Sequence, residues 1–259
     1  MTALIGAQLH DRRRSLLAWG LPLGLMSAFI VAIFPSVEDA LGRAIRDYPT
    51  ELKEAFSIGE LATVEQYLEA EMLSLIVPLA LGYLAVRSIA SGLSGSAETG
   101  RLDVLLSAPV SRSSLVASGF LATAIELAAV LAVSLLLTMI GSWLAGAGLA
   151  FGPALAGFAN VWPLALVFAG LGVVVTGLSL RTSVVTGSVA GVLVAMYVID
   201  LVGRLDTSLD WVRYGSVFRY YGTAIEDGID PLAFCGVAAV AIGMAAFGAA
   251  LFERRDLSD

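Results

Sequence analysis

The sequence predicts an all-α polytopic membrane protein with six transmembrane helices, and three observations carry that prediction. Hydrophobic residues make up 58% of the 259-residue chain and charged residues only 14%, a balance far from that of a soluble domain. Six apolar runs are each long enough to cross a hydrocarbon core of about 30 Å, for which roughly 20 helical residues suffice. Arginines crowd against the first and last of these runs, as they do on the cytoplasmic side of membrane helices.

Taken in order, residues 1–14 place Leu4, Ile5 and Leu9 near one side and Gln8, Asp11 and Arg12 on another, ahead of the triplet Arg12, Arg13 and Arg14. That pattern suits a short N-terminal interfacial helix whose Arg heads reach lipid phosphates. Span one is expected at Leu16 to Phe34. It is read as a permanent span and not a signal peptide, because no convincing small-residue cleavage site follows. Residues 35–71 form the longest polar segment, expected as an outer helical loop whose second half continues into span two, Met72 to Ala90. With so few large apolar side chains, the loop cannot build a core of its own.

A polar island at 95–112 separates span two from span three, Leu115 to Ile140. The Gly- and Ala-rich stretch that follows is broken at Pro153 and is expected to skim the interface before span four, Val161 to Leu180. Only Arg181, Thr182 and Ser183 lie before span five, Val184 to Leu201, so the two should form a tight antiparallel hairpin. Residues 203–230 carry Trp211, Tyr214, Phe218, Tyr220 and Tyr221 and read as short outer helices anchored by interfacial aromatics. Span six is expected at Pro231 to Phe252. Small residues inside the spans, among them Gly170, Gly172, Gly177, Gly187, Gly191, Ala241 and Ala245, are expected to let helices of this chain approach closely. The whole of 1–259 reads as a single transmembrane domain.

An even number of spans puts both termini on one side, and the flanking arginines assign that side to the cytoplasm. The cytoplasmic segments then hold nine Arg against six acids, and the outer segments six basic residues against fifteen acids. The net charge of -7 is thus almost wholly an outer-face property. It reads as solvation of exposed loops, with concentration of cations as the alternative. No basic patch suggests nucleic acid. Cys235, the sole cysteine, cannot form an intrachain disulfide and is expected in the core of span six. A single histidine, His10, cannot build a His/Cys metal cluster or a His-dependent nucleophile within one chain. The only lysine, Lys53, follows Leu52, so the GxxxxGK[ST] loop that cradles nucleotide phosphates is missing. Any ATP used must be hydrolysed by another chain.

Two places remain that suggest function. Glu126 lies near the middle of span three, in ATAIELAAVL, where a carboxylate costs at least ~2.5 kcal/mol and should face the interior or a water-filled path. It is either a substrate, cation or proton site, or a structural carboxyl meeting Thr123, Ser134 or a polar group on another helix. In the polar island, Leu102, Leu105 and Leu106 stand at i, i+3 and i+4 and share one face of a short helix. Pro109 stops that helix, Glu98 precedes it near its exposed amides, and Arg112 lies just beyond. An apolar stripe on a polar loop needs a partner, either a docked peripheral protein or the chain's own bundle.

With Glu98, Gly100-Arg101-Leu102, Leu105-Leu106 and Pro109-Val110-Ser111-Arg112 between spans two and three, the chain resembles the membrane subunits of ABC-2 type ATP-binding-cassette transporters. Arg101 stands where the family often has Thr. Softer matches are SVFRYYGTAIEDGIDPL before span six, with Val217 in place of a Pro, and LFERRDL near the end. The resemblance covers nearly the whole length. It implies a permease half-transporter in a prokaryotic plasma membrane, pairing with a second copy or a homologous permease to form the pathway. It also implies a separate ABC ATPase subunit that holds ATP and Mg, so that this chain is no enzyme and carries no cofactor. The residues it assigns to ATPase coupling are Glu98, Gly100, Leu102, Leu105, Leu106, Pro109 and Arg112. Export of a small amphipathic or lipophilic compound is the expected activity. The alternatives are a proton- or cation-coupled transporter using Glu126, and a membrane scaffold that transports nothing.

Overall fold

A computed structural model describes residues 2–46, 63–98, 111–205 and 207–254. Among these residues there is no β-strand, and six helices are long and apolar enough to cross a membrane. The expected all-α polytopic architecture is borne out. The helices are α1 (Thr2–Arg46), α2 (Val64–Ser94), α3 (Arg112–Ala145), α4 (Phe151–Leu178), α5 (Thr182–Leu205) and α6 (Pro231–Glu253).

The largest departure from the sequence reading is α1. No break divides residues 1–14 from the first span, and no loop begins at Pro35. One 45-residue helix runs through Pro22 and Pro35 and, at 1.5 Å per residue, is about 68 Å long. A proline removes one N–H and need not stop a helix whose neighbours re-satisfy the freed carbonyl. α2 is composite. α-Helical turns at Val64–Leu68 and Ile76–Ile89 alternate with π-helical turns at Glu69–Leu73 and Ala90–Ser94. Single π turns of this kind re-aim side chains within a helix. Its start is fixed by a capping box in which Thr63 and Gln66 exchange side-chain-to-backbone bonds.

α3 is capped at its start by Ser111, whose hydroxyl accepts from the Ser114 amide, and at its end by Gly146 with φ 65°. There the Ala147 amide returns to the Ser142 carbonyl, a left-handed closure that glycine adopts without a Cβ clash. α4 starts at Phe151, so Pro153 does not break it. It occupies the first turn, where its missing N–H has no helical partner to lose. α6 is capped by Asp230, whose carboxylate accepts from the Leu232 and Ala233 amides ahead of Pro231.

Consecutive helices alternate in direction. α1 and α3 therefore run parallel, and they pack at a constant spacing that sets Gly20 beside Val133, Gly24 beside Leu137 and Ala28 beside Gly141. A Cβ added at Gly141 would stand 2.7 Å from the Ala28 Cβ. α4 is the central helix, contacted by α2, α3, α5 and α6. Gly248 of α6 presses on its backbone at Val173 and Val174, where an added Cβ would stand 2.6 Å away. Gly170, Gly172 and Gly177 also make close helix contacts, whereas Gly187 and Gly191 of α5 face open space and contribute nothing to packing within the chain. Cys235 is exposed on α6 and not in the core, because α6 turns only a narrow stripe containing Ala241, Ala245, Gly248 and Phe252 toward its neighbours.

Candidate functional site

The residues that begin α1, leave α2, begin α3 and begin α5 meet at one end of the bundle, the end from which α1 starts. Glu126 sits in this region with its side chain 1% exposed. Its Oε2 accepts from the Arg12 Nη1 at 2.8 Å and from the Ser88 hydroxyl at 2.8 Å. Arg12 also donates to the Thr123 hydroxyl at 2.7 Å and to the Ser88 carbonyl at 3.3 Å. Three helices are thereby joined through one ion pair. Glu126 Oε1 is buried with no hydrogen-bond partner.

One sequence expectation changes here. Arg12 turns into the bundle and not toward lipid phosphates. Glu126, near the middle of α3, meets Arg12, which lies just ahead of the apolar run 15–34 of α1, so the middle of one helix stands level with the start of the other. Of the two hydroxyls proposed as partners, Thr123 joins the network through Arg12. Ser134 lies apart from it, buried with its Oγ unpartnered. Ser88 and Arg12 were missed. The parallel α1–α3 register that brings Arg12 to Glu126 is a tertiary fact with no local signature, although a buried carboxylate does demand a cation and the arginines near the spans were few.

Nearby, Glu98 is held 84 residues away from its own position in the chain. Its Oε1 accepts from the Thr182 amide at 2.8 Å and its Oε2 from the Thr182 hydroxyl at 2.9 Å. Thr182 is the first residue of α5, so the carboxylate caps that helix at its positive end. Glu98 thus clamps the α4–α5 turn, while the amides of 99–110, beside which the sequence places it, lie outside the described residues. Arg112 opens α3. Gly100, Leu102, Leu105, Leu106 and Pro109 lie outside the described residues.

The opposite end of the bundle carries a second charged network. Asp200 accepts from Arg204 at 2.7 Å and from Arg213 at 2.9 Å. Asp210 accepts from Arg213 at 2.8 Å and from Arg219 at 2.9 Å, and the Arg219 guanidinium lies 4.0 Å over the Tyr214 ring. Hydrogen bonds from Arg219 and then Arg213 hold the Asp210 carboxyl below the usual carboxylate range, while its bond to Asp200 raises Arg213 further. These residues lie in and around two 3₁₀ turns, Thr207–Gly215 and Val217–Tyr220. The aromatics divide. Trp211, Tyr214 and Tyr220 are exposed, while Phe218 and Tyr221 are buried against the bundle, Tyr221 through a bond from the Asn160 amide to its carbonyl. Burial and the nearby Glu69 push the Tyr221 phenol well above its ordinary range. Among the described residues no group of three or more His, Cys, Asp or Glu side chains is placed to hold a metal ion.

Six helices long and apolar enough to cross a membrane define a multi-pass membrane protein. The family described as the C-terminal domain of the multidrug efflux system permease Rv1217c matches residues 2–253, and the chain belongs to that permease family. No curated protein matches it.

Proposed function

We propose that this chain is the membrane-spanning permease subunit of an ATP-driven ABC exporter of the ABC-2 type, working as a dimer with a separate ATPase subunit. Both termini and the segment 95–112 then face the cytoplasm. Membership of an efflux permease family supports transport outward, and the sequence lacks a nucleotide-binding loop of its own. The observation that carries the coupling is the Glu98–Thr182 clamp. It fastens the base of the leucine-bearing segment to the α4–α5 turn, while the other end of that segment passes directly into α3 at Arg112. A push on Leu102, Leu105 and Leu106 by a closing ATPase would therefore be delivered to α3 and α5 together, in the manner of apolar anchors seated in a partner's groove.

The chain is to be co-purified with an ABC ATPase encoded beside it and reconstituted in proteoliposomes. Leu105→Asp and Leu106→Asp are expected to abolish co-purification and ATP-dependent export. Glu98→Gln should keep the complex and lower export several-fold. Retention of the ATPase by both Asp variants would sink the coupling reading. Export driven by an ion gradient with no ATPase present would favour a secondary transporter.

A further inference from the structure

At the end of the bundle opposite the Arg12–Glu126 pair, a cavity of about 150 Å³ lies between α2, α5 and the 3₁₀ turns. Its walls include Glu69, Tyr197, Asp200, Arg204, Phe218 and Tyr221. Glu69 is only 7% exposed, and its Oε2 is buried with no hydrogen-bond partner. It opens the π turn Glu69–Leu73, an irregularity of a kind frequent at functional sites. A buried carboxylate oxygen with no donor is costly. Arg204 lies near enough to offset part of this cost, but none of the neighbouring cations bonds to Glu69 Oε2. Arg204 is bound to Asp200, Arg213 is shared between Asp200 and Asp210, and Glu226 adds a further negative charge nearby.

The site therefore has room for one positive charge, and its chemistry selects which kind. A hard metal cation asks for about six oxygen ligands, whereas the cavity is walled by one unengaged carboxylate, Glu69, the already paired Asp200 and Arg204, Ser74, and aromatic and aliphatic side chains. An ammonium group needs only one such acceptor, and the aromatic and aliphatic part of the wall, Tyr197, Leu201 and Phe218, suits the apolar body behind it. We infer that this cavity is a binding site for a protonated organic amine, with Glu69 receiving the ammonium and Tyr197, Phe218 and Leu201 enclosing the apolar part. The inference stands on the cavity alone and not on ATP coupling, so it is tested on the purified chain without any ATPase.

Benzylamine, protonated at neutral pH, and its neutral counterpart benzyl alcohol are to be titrated by calorimetry into the full chain in lipid nanodiscs. Benzylamine is expected to bind saturably, and benzyl alcohol at least tenfold more weakly. Glu69→Gln, which keeps shape and loses charge, should weaken benzylamine at least tenfold. Arg204→Gln, which removes the competing cation beside the carboxylate, should tighten it several-fold. Equal binding of the two probes, no binding of benzylamine, or affinities that move with neither variant would overturn the site. Displacement of all benzylamine heat by millimolar calcium would also overturn it, in favour of a metal site. Should Glu69→Gln not fold, the amine-to-alcohol comparison and Arg204→Gln still decide.

Discussion

Glu126 was legible in the sequence as an anomaly, and the structure supplies its partner. Arg12 and Glu126 are both largely buried, at 13% and 1% side-chain exposure. For such a pair the loss of one member is worse than the loss of both, because a lone charge is left without water or counter-ion. Arg12→Met is therefore expected to destabilise the protein by about 3–5 kcal/mol, and the double change Arg12→Met with Glu126→Leu to recover most of that. Thermal unfolding in detergent, followed by loss of monodisperse protein, measures both. A double variant no more stable than Arg12→Met alone would contradict the pairing as the source of the loss. Glu126→Gln keeps an acceptor for Arg12 and Ser88 and should fall between the two. The bonds from Arg12 and Ser88 give Glu126 the partners that its structural reading requires, and its free Oε1 leaves one acceptor site unspent.

At the scale of the elements, the six helices were readable because an apolar run of membrane length has few alternatives. Their ends were read less well. Pro35 and Pro153 read as breaks in the sequence, yet the first lies inside α1 and the second in the opening turn of α4. Glycine was the harder signal. A small residue in a span shows that close approach is possible, but not which face is turned to a neighbour. Gly141 and Gly187 look alike in sequence, yet the first abuts the backbone of Ala28 and the second meets nothing. Gly141→Leu is thus expected to separate α1 from α3 and cost about 1–3 kcal/mol by overpacking. Gly187→Leu should leave the monomer's unfolding temperature unchanged. Comparable losses in the two variants would contradict this assignment of faces. The clamp between Glu98 and Thr182 was beyond the reach of sequence for a related reason. Both residues stand out in the sequence, but a carboxylate satisfies whichever free amide the fold brings near, here that of Thr182, 84 positions on.

For the whole molecule, the two charged networks divide the labour of holding the bundle. The Arg12 network ties α1, α2 and α3 at one end, and the Asp200 and Asp210 networks tie α5 to the 3₁₀ turns at the other. The register of α1 against α3 has a mechanical meaning. Helices that keep the same pairing from Gly20 to Ala28 and are pinned by an ion pair at Arg12 cannot slide past each other without breaking both. They form a two-strand pushrod. A displacement arriving where α3 begins would be carried along α1 by the same pairing. A cysteine pair at Gly20 and Val133, whose Cβ atoms would lie 3.3 Å apart, is near the separation of a disulfide and should lock the rod without stopping it. With Cys235 replaced by Ser, the oxidised pair is expected to export at the rate of the reduced one. A loss of export on oxidation that dithiothreitol restores would mean that α1 and α3 shear during the cycle. If the rod holds, the stroke of such a machine lies in how this pair tilts against α4 and α6, and the lipid around α1 travels with it.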